Sequence, residues 1–175
     1  MKSSTGETLV ILVRHAEYEL PYPADDSMRP LTQHGKKSVQ ILGKGLVKTL
    51  PPIHFEDTIS YTRIIFTSPF RRAATTARLL STQLNPIAGV HEVKELALQS
   101  PNVVEWSLKT IVANLGVESL VFVSHMPELN AIGQSLKTNL KLNLQMCEAV
   151  CLSISSNASG FWQVGTAQLL WKING

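Results

Sequence analysis

No apolar run in this 175-residue sequence approaches the roughly 20 residues a membrane-spanning helix needs, so no transmembrane segment is expected. Cysteine is scarce: Cys147 and Cys151 are the only two, which excludes a disulfide-built scaffold. Four residues apart on an expected strand, they would share a face yet lie too far apart to bridge. Without neighbouring histidines they also make a poor zinc site, and they read as small core residues of a reduced protein. Charge is low as well, at 17% Asp, Glu, Lys and Arg with a net +3, and aromatics supply only 6%. A nucleic-acid surface would want a basic domain with interleaved aromatics, so no nucleic-acid partner is expected. Repeats, low-complexity segments and linkers are missing. The 44% apolar share excludes wholesale disorder and fits one domain over residues 1–175. Residues 1–7 carry no signal-peptide core, and the expectation is a cytoplasmic protein with no membrane partner.

What charge there is lies unevenly. Residues 1–87 hold 11 Lys and Arg against 7 Asp and Glu, whereas residues 88–175 hold 5 against 6. A field focused on a small anion accounts for that asymmetry better than a nucleic-acid stripe.

Strand and helix signals alternate, which predicts a three-layer α/β/α sandwich with a mostly parallel central sheet. Leu9 to Val13 reads as a buried strand, followed by a proline-rich loop from Tyr18 to Pro30. A helix is expected from Thr32, with Val39, Leu42, Leu46 and Leu50 at helical spacing, weakened at Gly43 and Gly45 and stopped by Pro51-Pro52. Arg63 to Thr67 is a second strand, and Ser68-Pro69 reads as the cap and first position of the next helix. A short strand near Val90 to Val93 precedes a helix opening at Ser100-Pro101 and ending at Gly116. Ser119 to Val123 is a further strand, after which Met126-Pro127 opens a helix. Ala149 to Ile154 and Phe161 to Trp171 read as a C-terminal antiparallel hairpin turning at residues 157–160.

Three of these strands end on chemistry: the first on Arg14-His15, the second on Ser68 and Arg71-Arg72, the third on Ser124-His125. Open α/β sheets build sites beyond the carboxyl ends of their strands. Guanidiniums present forked donors that match phosphate oxygens, and a neutral imidazole attacks phosphorus or relays protons at cellular pH. Helix N-termini after Ser68 and His125 would add positive dipole ends. Any one of these residues alone reads as structural; their shared position at strand ends reverses that. His34, His54 and His91 lack such placement and read as surface or loop residues. No carboxylate cluster or His-x-x-x-His spacing supports a metal at His15 and His125.

These residues resemble the histidine phosphatase superfamily, the phosphoglycerate mutase-like proteins. Val13-Arg14-His15-Ala16 looks like its Arg-His-Gly/Ala motif. Ser68 to Thr76 matches its Ser-Pro-x-x-Arg-Ala-x-x-Thr motif, and Val123-Ser124-His125 its third. Arg29-Pro30-Leu31-Thr32 and the short chain are most similar to the SixA-type phosphohistidine phosphatases. The resemblance implies that His15 is a transiently phosphorylated nucleophile, that Arg14 and Arg72 bind phosphoryl oxygens, and that His125 donates to the phosphate. Arg29 would add a phosphate contact and Arg71 would stay on the rim. It implies no metal and no cofactor. Larger members of the superfamily carry an acidic residue that protonates the leaving oxygen; here Glu95 and Glu17 are the candidates. Lack of a secured acid favours a P–N bond, so the expected substrate is phosphohistidine on a protein such as a histidine phosphotransfer domain. A small sugar or nucleotide phosphate ester is the alternative, and a non-catalytic phosphate-binding module the third.

Overall fold

Alternation along the central strands sets the layering. In a computed structural model, which describes residues 7–21, 23, 25–50, 63–86, 88–156 and 162–175, the first strand β1 spans Glu7–Arg14. Its Ile11 and Val13 enter one apolar cluster and its Val10 and Leu12 another, on the opposite face. The chain continues as α1 (Gln33–Thr49), β2 (Arg63–Thr67), α2 (Arg71–Leu84), β3 (Val90–Glu92), α3 (Val103–Ala113), β4 (Ser119–Ser124), α4 (Glu128–Leu136), β5 (Glu148–Ser155) and β6 (Gln168–Asn174). Val39, Leu42 and Leu46 of α1 and Ala73, Ala77, Leu80 and Leu84 of α2 pack on the first face. Ile111 of α3 and Leu129, Ile132 and Leu136 of α4 pack on the second. The expected sandwich is therefore what forms.

The sheet order is β3-β2-β4-β1-β5-β6. Pairing is parallel from β3 through β2 and β4 to β1, and antiparallel at β1–β5 and β5–β6. Arg14 lies opposite Ser124, and Thr67 opposite Val123, so β1, β4 and β2 end side by side. Among the described residues no helix is long and apolar enough to cross a membrane.

Several boundaries differ from the sequence reading. Ser68-Pro69 does not open α2, which begins at Arg71 with Phe70 at the cap position and no capping side chain. The Ser68 hydroxyl is engaged elsewhere, as described below. Ser100-Pro101 likewise precedes the helix, and α3 starts at Val103 after Asn102. Strand β6 begins at Gln168 rather than Phe161; Phe161 and the expected turn lie outside the described residues, as do Pro51, Pro52 and His54. Cys147 falls just before β5 with φ of 61°, not on the strand. Both cysteines are free and buried on one face, and burial pushes each thiol up to about 12.

Helix α1 runs unbroken through Gly43 and Gly45, ending at Thr49. At Gly43 a Cβ would stand 2.3 Å from the side-chain amide of Gln83 on α2, a flexible group that would have to shift. Thr32 caps α1, its hydroxyl accepting from the Gly35 N–H at 2.9 Å. At Gly35 itself a Cβ would meet the Glu17 carbonyl oxygen at 2.2 Å, in the loop just after β1. Gly35→Ala should therefore lower stability by about 1–3 kcal/mol in urea unfolding, despite alanine's better helix propensity. A variant as stable as the parent would contradict this close contact.

Candidate active site

His15 follows β1 directly and is 4% exposed. Its N–H donates to the Ser124 carbonyl at 3.1 Å, and its carbonyl accepts from the Cys147 N–H at 3.1 Å, so neighbours on both sides hold its backbone. The ring Nδ1 lies 2.9 Å from the Ala16 carbonyl oxygen. A carbonyl only accepts, so Nδ1 carries the proton and Nε2 keeps its lone pair. Thr76 supports the same turn: its Oγ1 accepts from the Ala16 N–H at 3.1 Å and donates to the Arg72 carbonyl at 2.8 Å. Burial lowers the His15 pKa to about 4; Arg72 and Arg14 push the same way, against the Ala16 bond and the Asp26 charge.

His125 follows β4 and stands 5.0 Å from His15 between ring centroids, tilted by 60°. Phe70 presents its ring edge-on at 5.0 Å. The Nε2 of His125 lies 2.8 Å from Ser68 Oγ, while Nδ1 is buried without a partner among the described residues. Burial, followed by His15, Arg72 and Arg14, lowers its pKa to about 2. Both imidazoles are therefore neutral at cellular pH.

The arginines surround this pair. Arg14 donates through Nη1 to the Leu144 carbonyl at 2.8 Å, leaving its buried Nε without a partner among the described residues. Arg72, 3% exposed at the start of α2, donates through Nη1 to the Asp26 carbonyl at 2.7 Å and through Nη2 to Asp26 Oδ2 at 2.9 Å. Its guanidinium lies 4.8 Å from the Tyr18 ring centroid and 5.0 Å from that of Phe70, and its Nε also has no partner among the described residues. Arg29 Nε stands 2.8 Å from Asp26 Oδ1, a charge contact whose N–H is not aligned as a hydrogen bond. Asp26 therefore ties together two of the expected phosphate-binding arginines.

The structure thus gathers Arg14, His15, Arg72 and His125, with Arg29 at their edge. It does not bring Glu95 or Glu17 to them. Glu95 lines a cleft of about 270 Å³ with Lys94, Ala97, Ser100, Pro101 and Asn102, and none of the four core residues borders it. Glu17 accepts from the Thr32 hydroxyl at 2.6 Å and stands 3.5 Å from His34 Nδ1. Arg71 is exposed, as expected for a rim residue. Sequence reasoning did not assign the partnerships of Asp26, Ser68 and Thr76. Asp26 sits beside Arg29 in the chain, and Ser68 and Thr76 sit within the second motif, so position was the available signal.

No family model and no curated protein matches the chain. Solved structures do. The chain is similar to the protein histidine phosphatase SixA complexed with tungstate, at 22% identity over 95% of this chain and 96% of that one, with a TM-score of 0.75. It is also similar to a phosphoglycerate mutase from Bacillus anthracis, at 15% identity over 94% of each chain and a TM-score of 0.62. A mycobacterial glucosyl-3-phosphoglycerate phosphatase matches at 15% identity over 89% of this chain and 96% of that one, with a TM-score of 0.62. At these identities what is shared is the fold.

The double role of Thr76 is testable without any substrate. Thr76→Val keeps the shape but leaves the buried Ala16 N–H unpaired, and should lower stability by about 1–3 kcal/mol. Urea unfolding checks this; a loss near zero would mean that the turn after His15 stands without Thr76.

Proposed function

We propose that this chain is a metal-independent phosphatase working through a phosphohistidine intermediate on His15, with phosphohistidine on a protein as its substrate. The observation that carries this reading is the set of nitrogens the fold leaves free. Each of the four core residues engages one part of its side chain with the protein and keeps one nitrogen in hand: His15 Nε2, Arg14 Nε, Arg72 Nε and His125 Nδ1. Buried polar atoms without partners are uncommon, and an oxyanion is the ligand that would satisfy unpaired guanidinium N–H groups.

In the first step His15 Nε2 attacks phosphorus in line. The P–Nε2 bond forms as the P–N bond to the substrate imidazole breaks, and the departing nitrogen takes its proton from solvent. Arg14 and Arg72 bind the phosphoryl oxygens, where fixed charge supplies most of the rate in phosphoryl transfer. Water then adds to phosphorus and the P–Nε2 bond breaks. Its electron pair returns to the ring, the water proton passes to solvent, and phosphate departs. Arg29, held on Asp26, stands ready for a further oxygen.

The preference for a P–N bond rests on the carboxylates. Glu95 lines a cleft that none of the four core residues borders, Glu17 accepts from Thr32, and Asp26 is held by Arg72 and Arg29. A departing alkoxide needs a strong proton donor, a contribution of roughly 10²–10⁴-fold, whereas an imidazole leaves with little help. The fold shared with a glucosyl-3-phosphoglycerate phosphatase favours a second reading, a phosphomonoesterase for small phosphate esters.

Turnover of a phosphorylated histidine phosphotransfer domain should exceed that of a panel of sugar and nucleotide phosphates. A reversed order selects the second reading, and no turnover of any of them leaves a phosphate-binding module. His15→Ala should lower turnover by about 10⁴-fold or more while retaining tungstate binding. Falling pH protonates Nε2 and removes the nucleophile, so the acid limb of kcat/KM should lie near 4 rather than at the ordinary 6.5. A limb at 6.5 would refute the burial argument.

A further inference from the structure

We infer that Ser68 is a positioning residue that fixes the tautomer of His125, placing its proton on Nδ1 so that this imidazole meets an oxyanion as a neutral N–H donor. The tautomer follows from counting buried donors and acceptors; only the identity of the anion rests on the reading above.

Ser68 is fully buried, and its backbone is occupied elsewhere: the N–H donates to the Val123 carbonyl at 3.0 Å and the carbonyl accepts from Thr67 Oγ1 at 3.2 Å. Its hydroxyl has two neighbours. The Phe70 N–H donates to Oγ at 3.2 Å, and His125 Nε2 stands 2.8 Å away. A hydroxyl has one proton to give, and between these two neighbours only Nε2 can accept it.

Suppose instead that Nε2 carried the proton. Ser68 Oγ would then accept from two N–H groups, its own proton would be stranded, and the buried Nδ1 would hold an unmet lone pair. Each unmet buried group costs about 1–3 kcal/mol, so that arrangement leaves two unmet groups where the inferred one leaves a single one. The single unmet group of the inferred tautomer is an N–H. Among the described residues it joins Arg14 Nε and Arg72 Nε as unpaired donors, whereas an Nδ1 lone pair would repel an incoming oxygen. His125 also remains neutral far below cellular pH, so the tautomer rather than protonation decides what the ring offers.

Nitrogen-15 NMR of the imidazoles at neutral pH tests this directly. His125 should show a protonated Nδ1 and a hydrogen-bond-accepting Nε2; a protonated Nε2 overturns the inference whatever the protein's activity. Ser68→Ala should turn that single tautomer into a mixture and weaken tungstate binding by about tenfold, and Ser68→Thr should restore both. Because Ser68 acts through His125, adding Ser68→Ala to His125→Ala should weaken tungstate binding by less than about twofold more. Unchanged tungstate affinity in Ser68→Ala, or a full additive loss in the double variant, also overturns it. If the protein binds tungstate yet turns over no phosphorylated compound, the phosphatase reading fails while the tautomer assignment stands.

Discussion

The hydrogen bond from the His15 N–H to the Ser124 carbonyl extends the parallel ladder between β1 and β4 one residue past its last strand pair. The geometry of the site depends on that continuation. With Arg14 opposite Ser124, the residues that leave the two strands next are His15 and His125, side by side at 5.0 Å. On the other flank of β4 the Ser68 N–H donates to the Val123 carbonyl, which carries the ladder past the end of β2 and sets the Ser68 hydroxyl against His125. A slip of one residue in either pairing would turn the apolar faces of β4 over, so the two cores that enclose the sheet also enforce the register of the site.

Enclosure has an electrostatic consequence. Removing two imidazoles from water favours their neutral forms, and Arg14 and Arg72 press both in the same direction. The site therefore keeps its permanent charge on guanidiniums and both imidazoles uncharged, a division that protonation of either ring would spoil. Asp26 moderates the result: formally, three arginine charges against one carboxylate leave an excess of two positive charges. The Asp26 side chain is 47% exposed, so its pairs contribute modestly to stability. Their effect is orientational, fixing the Arg72 plane beside Tyr18 and Phe70.

The sequence reading reached the strands and the four core residues for one reason. Apolar runs that end abruptly in Arg14-His15, Ser68 and Ser124-His125 mark both a buried strand and the side chains it delivers, so fold and site are legible together. What it missed depends on side chains meeting across long separations. Asp26 reaches Arg72 over 46 residues and Ser68 reaches His125 over 57, and no local pattern encodes either meeting. The misplaced start of α2 has the same origin. A serine before a proline suits a helix cap by local rules, but this hydroxyl is engaged by His125 and the Phe70 N–H, and the helix opens without it. Glu17 shows the same dependence on distant partners: two residues from His15 in the chain, it accepts from Thr32 and stands near His34 at the start of α1.

On the proposed reading, substrate choice turns on the leaving group rather than on the residues that hold the phosphoryl group. A phosphoglycerate mutase and a glucosyl-3-phosphoglycerate phosphatase share the architecture, so the fold alone does not select a substrate. The space around the departing atom does. Between Arg72 and His125 the chain is taken up by α2, β3, α3 and β4 with short connections, so that segment adds little backbone over the site beyond the loop that carries Tyr18, Asp26 and Arg29. A small ester would depend on such enclosure for binding and on an acid for departure. A phosphoryl group on a protein's imidazole depends on neither, because the partner's surface supplies the enclosure and its ring leaves with a proton from solvent. On the proposed reading, short connections after Arg72 and the placement of Glu95 and Glu17 away from His15 are then two expressions of one requirement: to grip a phosphoryl group presented from outside.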